Sequence, residues 1–336
     1  MSDPPCSPQA SPLPVTVVGG FLGAGKTTLV NALLARAEGR RLAVLVNDFG
    51  ELAIDAALIA TRSETTISLQ NGCVCCSLVS GLAQALLDVL ECTPRPDHVV
   101  IEASGVSDPR RIAQIARAAR EFRHEATLVV VDAERIKAQA KDRYVGETVV
   151  AQLASADLIL LNKCDLIDSD SARSLQTWLR ANAPGASIIE TIQSELPPDL
   201  VLGPAAHLEF AGPHAMAPLL WRGSTGRLTN ADHGNRYSAF TFRGASPISE
   251  AALLHALDAL PEAVLRAKGW VRFDSAPSIA QLVQLVGRRR VISAAPAGVH
   301  TVEWGLTLIG ATDALALADL SAMAALFSAQ AAAISR

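Results

Sequence analysis

The sequence predicts an α/β protein with two domains. A doubly wound, mostly parallel sheet comes first, and a smaller α+β domain follows it. Three observations lead there. From Val15 to about Thr191, continuous runs of Val, Ile and Leu alternate with amphipathic segments of helical spacing. Between Leu196 and Asn235 the text turns rich in Pro, Gly and Ala and the periodicity fails. From Tyr237 a different pattern of short alternating strands begins. Apolar strands separated by helices describe a sheet buried on both faces, because each crossover helix covers the strands it joins.

In order, the apolar runs place strands at 15–19, 42–47, 66–69, 98–101, 127–131, 158–161 and 187–190. Helical spacing places helices at 26–37, 81–91, 109–119, 147–154 and 171–181. The second half reads as a strand at 237–242, a helix at 249–260, strands near 271–274, 279–286 and 298–308, and a closing helix. The expected boundaries are a disordered head at 1–14, a first domain at 15–200, a linker at 201–235, a second domain at 236–322 and a helical or disordered tail at 323–336.

The chain has 336 residues, enough for two cores, and half of them are apolar while only 4% are aromatic. A net charge of −4 gives no reason to expect nucleic acid or an anionic membrane as partner. No apolar run is long and clean enough to span a bilayer, and the proline-rich head lacks the charged and apolar regions of a signal peptide. The expected location is the cytosol. There, six cysteines argue for metal or redox chemistry before disulfides.

The chemistry begins where the first strand ends. Gly20-Phe-Leu-Gly-Ala-Gly-Lys-Thr-Thr28 fits G-x-x-x-x-G-K-[ST] between a strand and a helix. Gly20, Gly23 and Gly25 let the backbone turn tightly and, with Ala24, aim N–H groups at phosphate oxygens, and the helix N-terminus adds partial positive charge. Lys26 would reach the β- and γ-phosphates, Thr27 would ligate Mg²⁺, and Thr28 continues the loop into the helix. The later strands also end in polar residues, at the edge where open α/β sheets bind ligands. Asn47-Asp-Phe-Gly-Glu51 suits a switch segment. Glu102-Ala-Ser-Gly105 offers an acid for Mg²⁺ or its waters and, at Gly105, an N–H for a γ-phosphate. Asp132 is a rival for the Mg²⁺ role, ranked lower because a strand-end aspartate often caps a helix. Asn162-Lys-Cys-Asp165 supplies, at Asp165, a carboxylate that accepts from guanine N1–H and the 2-amino group. Asn162 and the Lys163 stem are expected to flank the base. These motifs favour GTP over ATP.

Asn71-Gly-Cys-Val-Cys-Cys-Ser77 carries three cysteines within four residues on a loop before a helix. Cys73, Cys75 and Cys76 form a soft-metal site in pattern, with a fourth position open. The alternatives are a redox dithiol of Cys73 and Cys76, or buried structural cysteines. Cys6, Cys92 and Cys164 are isolated and read as ordinary.

Together, the phosphate loop with its Gly-Phe-Leu-Gly, Asn47–Glu51, Cys73-Val-Cys-Cys76, Glu102–Gly105 and Asn162–Asp165 resemble the CobW family of P-loop GTPase metallochaperones. The order of the motifs and the triple cysteine carry the resemblance. It implies a P-loop GTPase sheet and a GTP- and Mg²⁺-dependent transition-metal site whose metal is released to a client on hydrolysis; soft thiolate ligands put Zn²⁺ first and Co²⁺ second. By the same resemblance, Lys26 and Thr27 take phosphate and Mg²⁺, Asp165 takes guanine, and Glu102 stands at the active-site Mg²⁺. Cys73, Cys75 and Cys76 would be the metal ligands. Asp48 occupies a position where glutamate is more usual and is the remaining catalytic candidate. Beyond the linker, Arg266-Ala-Lys-Gly269 and Leu308-Ile-Gly310 resemble the family's carboxy-terminal domain. His207, His214 and His233 are too scattered for the dense histidine run of some members and read as linker residues. The alternative function is a maturation GTPase devoted to one client, such as a cobalamin-pathway complex or a metal hydratase.

Overall fold

The computed structural model describes residues 11–37, 39–46, 66–69, 78–203, 237–244, 246–294, 304–312 and 320–328. The chain divides into two units, one of them Pro12–Leu202 and the other comprising the elements beyond Gly203. The first contains strands β1 (Leu13–Gly19), β2 (Leu42–Val46), β3 (Thr66–Leu69), β4 (His98–Glu102), β5 (Phe122–Asp132), β6 (Leu158–Asn162) and β7 (Ser187–Glu190). They form a seven-stranded sheet in the order β3-β2-β4-β1-β5-β6-β7, and every neighbouring pair is parallel.

Right-handed crossovers decide which face each helix covers. From β3 onward the strand order moves in one direction only. The helices α2 (Leu78–Glu91), α3 (Pro109–Ala118), α4 (Ile136–Lys141), α5 (Gly146–Leu153) and α6 (Ser169–Asn182) therefore share a face. Val15, Val17, Val99 and Ile101 pack there under α2 and α3, and Val129, Val131, Ile159 and Leu161 pack under α4 to α6. The step from β1 to β2 goes the opposite way, past β4, so α1 (Lys26–Ala35) falls on the other face with Leu29, Val30 and Leu33 buried. That face also receives α7 (Pro198–Leu202), where the Thr16 hydroxyl donates to Val201 O at 3.1 Å. Arg36 and Arg40, just beyond α1, pair with Glu195 and Asp199 and tie the chain leaving β7 to the end of that helix.

The strands predicted for this first unit all appear, with one large shift. β5 starts at Phe122 rather than 127, because its polar beginning is satisfied internally. His124 sits between the Arg117 guanidinium (3.0 Å) and the Thr127 hydroxyl (3.0 Å), and Glu125 pairs with Arg123. The short α4 and α7 were not anticipated. Each is six residues or fewer, below the length at which helical periodicity shows.

The second unit is a five-stranded antiparallel sheet, ordered β11-β10-β9-β12-β8. Its strands are β8 (Tyr237–Gly244), β9 (Val264–Phe273), β10 (Ala276–Val286), β11 (Arg289–Ala294) and β12 (Trp304–Ala311). Helices α8 (Glu250–Asp258) and α9 (Ser321–Ser328) share one core with Ala267, Val271, Val283, Leu285, Leu306 and Leu308. Ser249 caps α8 through Ala252 N, as a helix-starting serine should. The sequence reading ends this domain at 322, whereas α9 continues the core beyond it through Met323 and Phe327. The Phe327 ring lies 5.6 Å from that of Phe242, centroid to centroid. β9 begins seven residues before the expected strand at 271. Arg266, Lys268 and Arg272 alternate along it with Ala267, Gly269 and Val271, and this charge hides its apolar face from a reading by hydrophobicity. β11 was not foreseen for the same reason, and the strand expected at 298–308 lies at Trp304–Ala311.

Met323 is fully buried at the join between α9 and the sheet. Met323→Ala is expected to destabilise the second unit by about 3 kcal/mol through lost transfer energy and an unfilled cavity. Urea denaturation of the full chain, compared with wild type, measures it; a change under about 0.5 kcal/mol would show that α9 is not part of this core.

Candidate functional site

The carboxyl ends of β1, β4, β5 and β6 lie side by side in the sheet, and the site is assembled on them. The register aligns Val18 with Glu102, and Asp132 with Asn162. The phosphate loop leaves β1 at Gly19 and enters α1 at Lys26. Gly25, the residue before the helix, is left-handed with φ 111°. A Cβ there would lie 2.4 Å from Asn162 Nδ2 and 2.9 Å from Ser194 Oγ, so both conformation and space require glycine.

The loop is held from its carbonyl side. Asn162 Nδ2 donates to Ala24 O at 2.9 Å, and the Ser194 hydroxyl donates to Gly25 O at 3.1 Å. Asn162 Oδ1 in turn accepts from Ser194 N at 2.8 Å and from the Thr191 hydroxyl at 3.3 Å. Gln193 and Ser194 are consecutive left-handed residues, φ 55° and 56°, and this backbone brings Ser194 back to the loop. Asn162, which the sequence reading places beside the base, is buried, and its amide braces the phosphate loop.

Lys26 is buried, and its ammonium donates to Phe21 O at 3.2 Å, within the same loop. The Thr27 hydroxyl donates to Glu102 Oε1 at 2.8 Å. Two residues separated by 75 positions thus place hard oxygen donors together at one strand end, a set that fits Mg²⁺. Asp132 is occupied differently. It accepts from Glu134 N and Arg135 N, at 3.0 and 3.2 Å, and pairs with Lys163 Nζ at 2.7 Å. That is the turn-capping role which ranked it below Glu102. Gly105 is buried against the loop, and a Cβ on it would meet Leu22 N at 2.9 Å. Gly20, Gly23 and Thr28 lie in the loop and its first helical turn, with Gly23 and Thr28 exposed.

Past β6, Lys163 adopts φ 63° and opens a 3₁₀ turn, Cys164–Leu166, that carries Asp165. Asp165 is exposed. It follows β6, two strands along the sheet from β1. The Cys164 thiol donates to Leu161 O at 3.1 Å. Burial first, then the negative charge of Glu190, pushes its pKa up to about 11. Cys73, Cys75, Cys76 and Asp48 lie outside the described residues, as do His207, His214 and His233.

Ser194, Thr191 and Gln152 belong to the site and were not singled out in the sequence. Ser194 and Thr191 follow the carboxyl end of β7, the position that gave the other motifs away. Gln152 shares the buried face of α5 with Gly146, Val149 and Leu153 and is the polar side chain among them.

Residues 14–190 match the family model of the CobW/HypB/UreG nucleotide-binding domain, and residues 237–319 match that of the cobalamin synthesis protein CobW C-terminal domain. The chain belongs to the CobW family of P-loop GTPases. A relative named zinc chaperone CobW, from Pseudomonas aeruginosa, is 34% identical over 318 residues, covering 82% of this chain and 81% of its own length. A Schizosaccharomyces pombe relative named zinc-regulated GTPase metalloprotein activator 1 is 33% identical over 196 residues, covering 55% of this chain and 47% of its own length. Among solved structures, the Zn(II)-bound YjiA GTPase of Escherichia coli aligns over 94% of this chain and 99% of its own, with 22% identity and a TM-score of 0.45. No helix among the described residues is long and apolar enough to cross a membrane.

Two outcomes follow for this CobW-family site. Gly25→Ala is expected to lower affinity for a fluorescent guanine nucleotide at least about tenfold, since an L side chain at that φ is strained and meets Asn162. Retained affinity would show that the loop can reshape. Cys164 holds its proton in the fold, so its thiolate is scarce until the pH passes about 11. Alkylation at pH 8, mapped by peptide mass spectrometry, should run about a hundredfold slower at Cys164 in folded protein than in urea-unfolded chain. Equal rates would contradict the burial.

Proposed function

We propose that this chain is a GTP-dependent metal chaperone. It takes a transition metal, zinc first and cobalt second, on Cys73, Cys75 and Cys76, and releases it to a client when GTP is hydrolysed. The observation that carries the reading is convergence on one sheet edge. The Thr27–Glu102 pair stands at the ends of β1 and β4, and Asp165 lies beyond β6. β3 ends at the same edge at Leu69, and the chain enters α2 at Leu78, so the cysteine motif falls between two described elements of the nucleotide-binding sheet. The zinc-chaperone name of the Pseudomonas aeruginosa relative supports the cargo.

In this mechanism Lys26 exchanges the Phe21 carbonyl for the β- and γ-phosphates and neutralises charge that builds on the transferred group. Thr27 and Glu102 would hold Mg²⁺, which would supply charge neutralisation at the phosphates. Asp165 accepts the two guanine donors, a pair that adenine lacks, while the Lys163 stem, oriented by Asp132, lies beside it. Asp48 is the candidate to orient the attacking water. Bound GTP orders the segment beginning at Asn47 and the cysteine loop and so raises metal affinity. By linkage the metal raises GTP affinity equally.

A second reading, a maturation GTPase that serves one metalloprotein, draws support from the name of the fission-yeast relative. Co-purification of a stable client would favour it.

The deciding experiment is a zinc and cobalt titration in GDP and in a non-hydrolysable GTP analogue. Tighter binding in the triphosphate state is expected, and equal affinity in both would sink the coupling. Cys75→Ser should lose tight metal binding while keeping nucleotide. Lys26→Ala should lower hydrolysis at least about a hundredfold, and unchanged turnover would refute its phosphate role.

A further inference from the structure

The loop from Glu102 to α3 is held at both ends. Ala103 N donates to Val18 O at 2.8 Å, and Ser107 N closes a turn on Ser104 O at 3.0 Å. Asp108 then caps α3 by accepting from Arg110 N at 2.9 Å. Between these ends lie Gly105, pressed onto Leu22 of the phosphate loop, and Val106, which is half exposed. The middle of the loop is held by one side chain from outside it. Gln152 Nε2, at the last turn of α5, donates to Gly105 O at 3.0 Å and to Ser107 O at 2.9 Å. Both donors of one amide are therefore committed to carbonyls two residues apart.

The end of α5 is itself secured. The Gln152 carbonyl accepts from the Ser155 hydroxyl at 2.6 Å, and Ala151 O accepts from the Arg110 guanidinium at 3.0 Å. Gln152 is 2% exposed, on a helix face that otherwise buries Gly146, Val149 and Leu153. A buried amide among apolar residues is costly unless its donors are used, and here both serve the same loop. Packing alone would be met by Leu or Met at this position.

We propose that Gln152 is a positioning residue for triphosphate sensing. It clamps the Ser104–Ser107 turn against the phosphate loop, so that the Gly105 backbone is already placed for a γ-phosphate before the nucleotide arrives. The inference rests on the reading of Gly105 as the γ-phosphate contact. A diphosphate has no γ-phosphate, so the clamp matters for GTP and not for GDP. Loss of the clamp leaves the turn to be ordered by the ligand itself, and triphosphate affinity falls by that cost.

The test compares affinities for GDP and a non-hydrolysable GTP analogue, with Mg²⁺, in the full chain and in Gln152→Met, Gln152→Glu and Gly105→Ala. Gln152→Met keeps the volume and removes both donors. Gln152→Glu puts an acceptor against two carbonyls. Each is expected to lower triphosphate affinity about tenfold while GDP affinity stays within about twofold, with the larger loss in Gln152→Glu. If Gly105→Ala changes the triphosphate-to-diphosphate ratio and neither Gln152 variant does, the clamp is overturned and the Gly105 reading stands. If none of the three changes the ratio, the Gly105 reading fails and the clamp falls with it. An equal loss of both nucleotides in the Gln152 variants would show an amide that supports the fold in general, and would also overturn the proposal.

Discussion

A phosphate loop works only if its backbone is held in a shape that unbonded peptide would abandon. Here the restraint comes from the Asn162 amide and the Ser194 hydroxyl, which take the carbonyls of Ala24 and Gly25. Fixed from the carbonyl side, the loop can present N–H groups to an anion without first paying to order them. The restraint requires glycine at position 25, and it draws the ends of β1, β6 and β7 into one hydrogen-bonded group. Asn162, which the sequence reading places beside the base, is thus a residue that braces the loop.

The same site is secured on its other flank by the Thr27–Glu102 hydrogen bond and by the Gln152 contacts to the loop beyond Glu102. These anchors come from different crossovers. Gln152 lies on the face covered by α2 to α6, while Ser194 leads into the segment that packs with α1 on the opposite face. The outermost strand β3 and helix α2, which flank the cysteine motif in sequence, belong to this same sheet.

The second unit obeys a different constraint. Its helices cover one face of an antiparallel sheet; β9 alternates charged with apolar residues and β11 mixes the two, instead of running apolar. The alternation accounts for the errors of the sequence reading. Val264–Phe273 carries Arg266, Lys268 and Arg272 between its core residues, and a count of hydrophobic residues misses a strand whose other face is basic. α9 reads as an alanine-rich tail until Met323 and Phe327 are seen to close the core.

The sequence by itself determined the parallel sheet, because strands buried on both faces must be written as continuous Val, Ile and Leu. The phosphate loop and the family are legible in the same way, because they rest on local motifs whose order along the chain is written in the sequence. Tertiary packing shows which side chains brace the loop. Asn162, Asp132 and Lys163 stand in or beside recognised motifs, yet their partners lie up to 138 positions away. Gln152 and Ser194 carry no motif at all. Their roles arise from which strand ends and helix ends become neighbours, and a hydrogen bond between residues remote in sequence is written only in the packing.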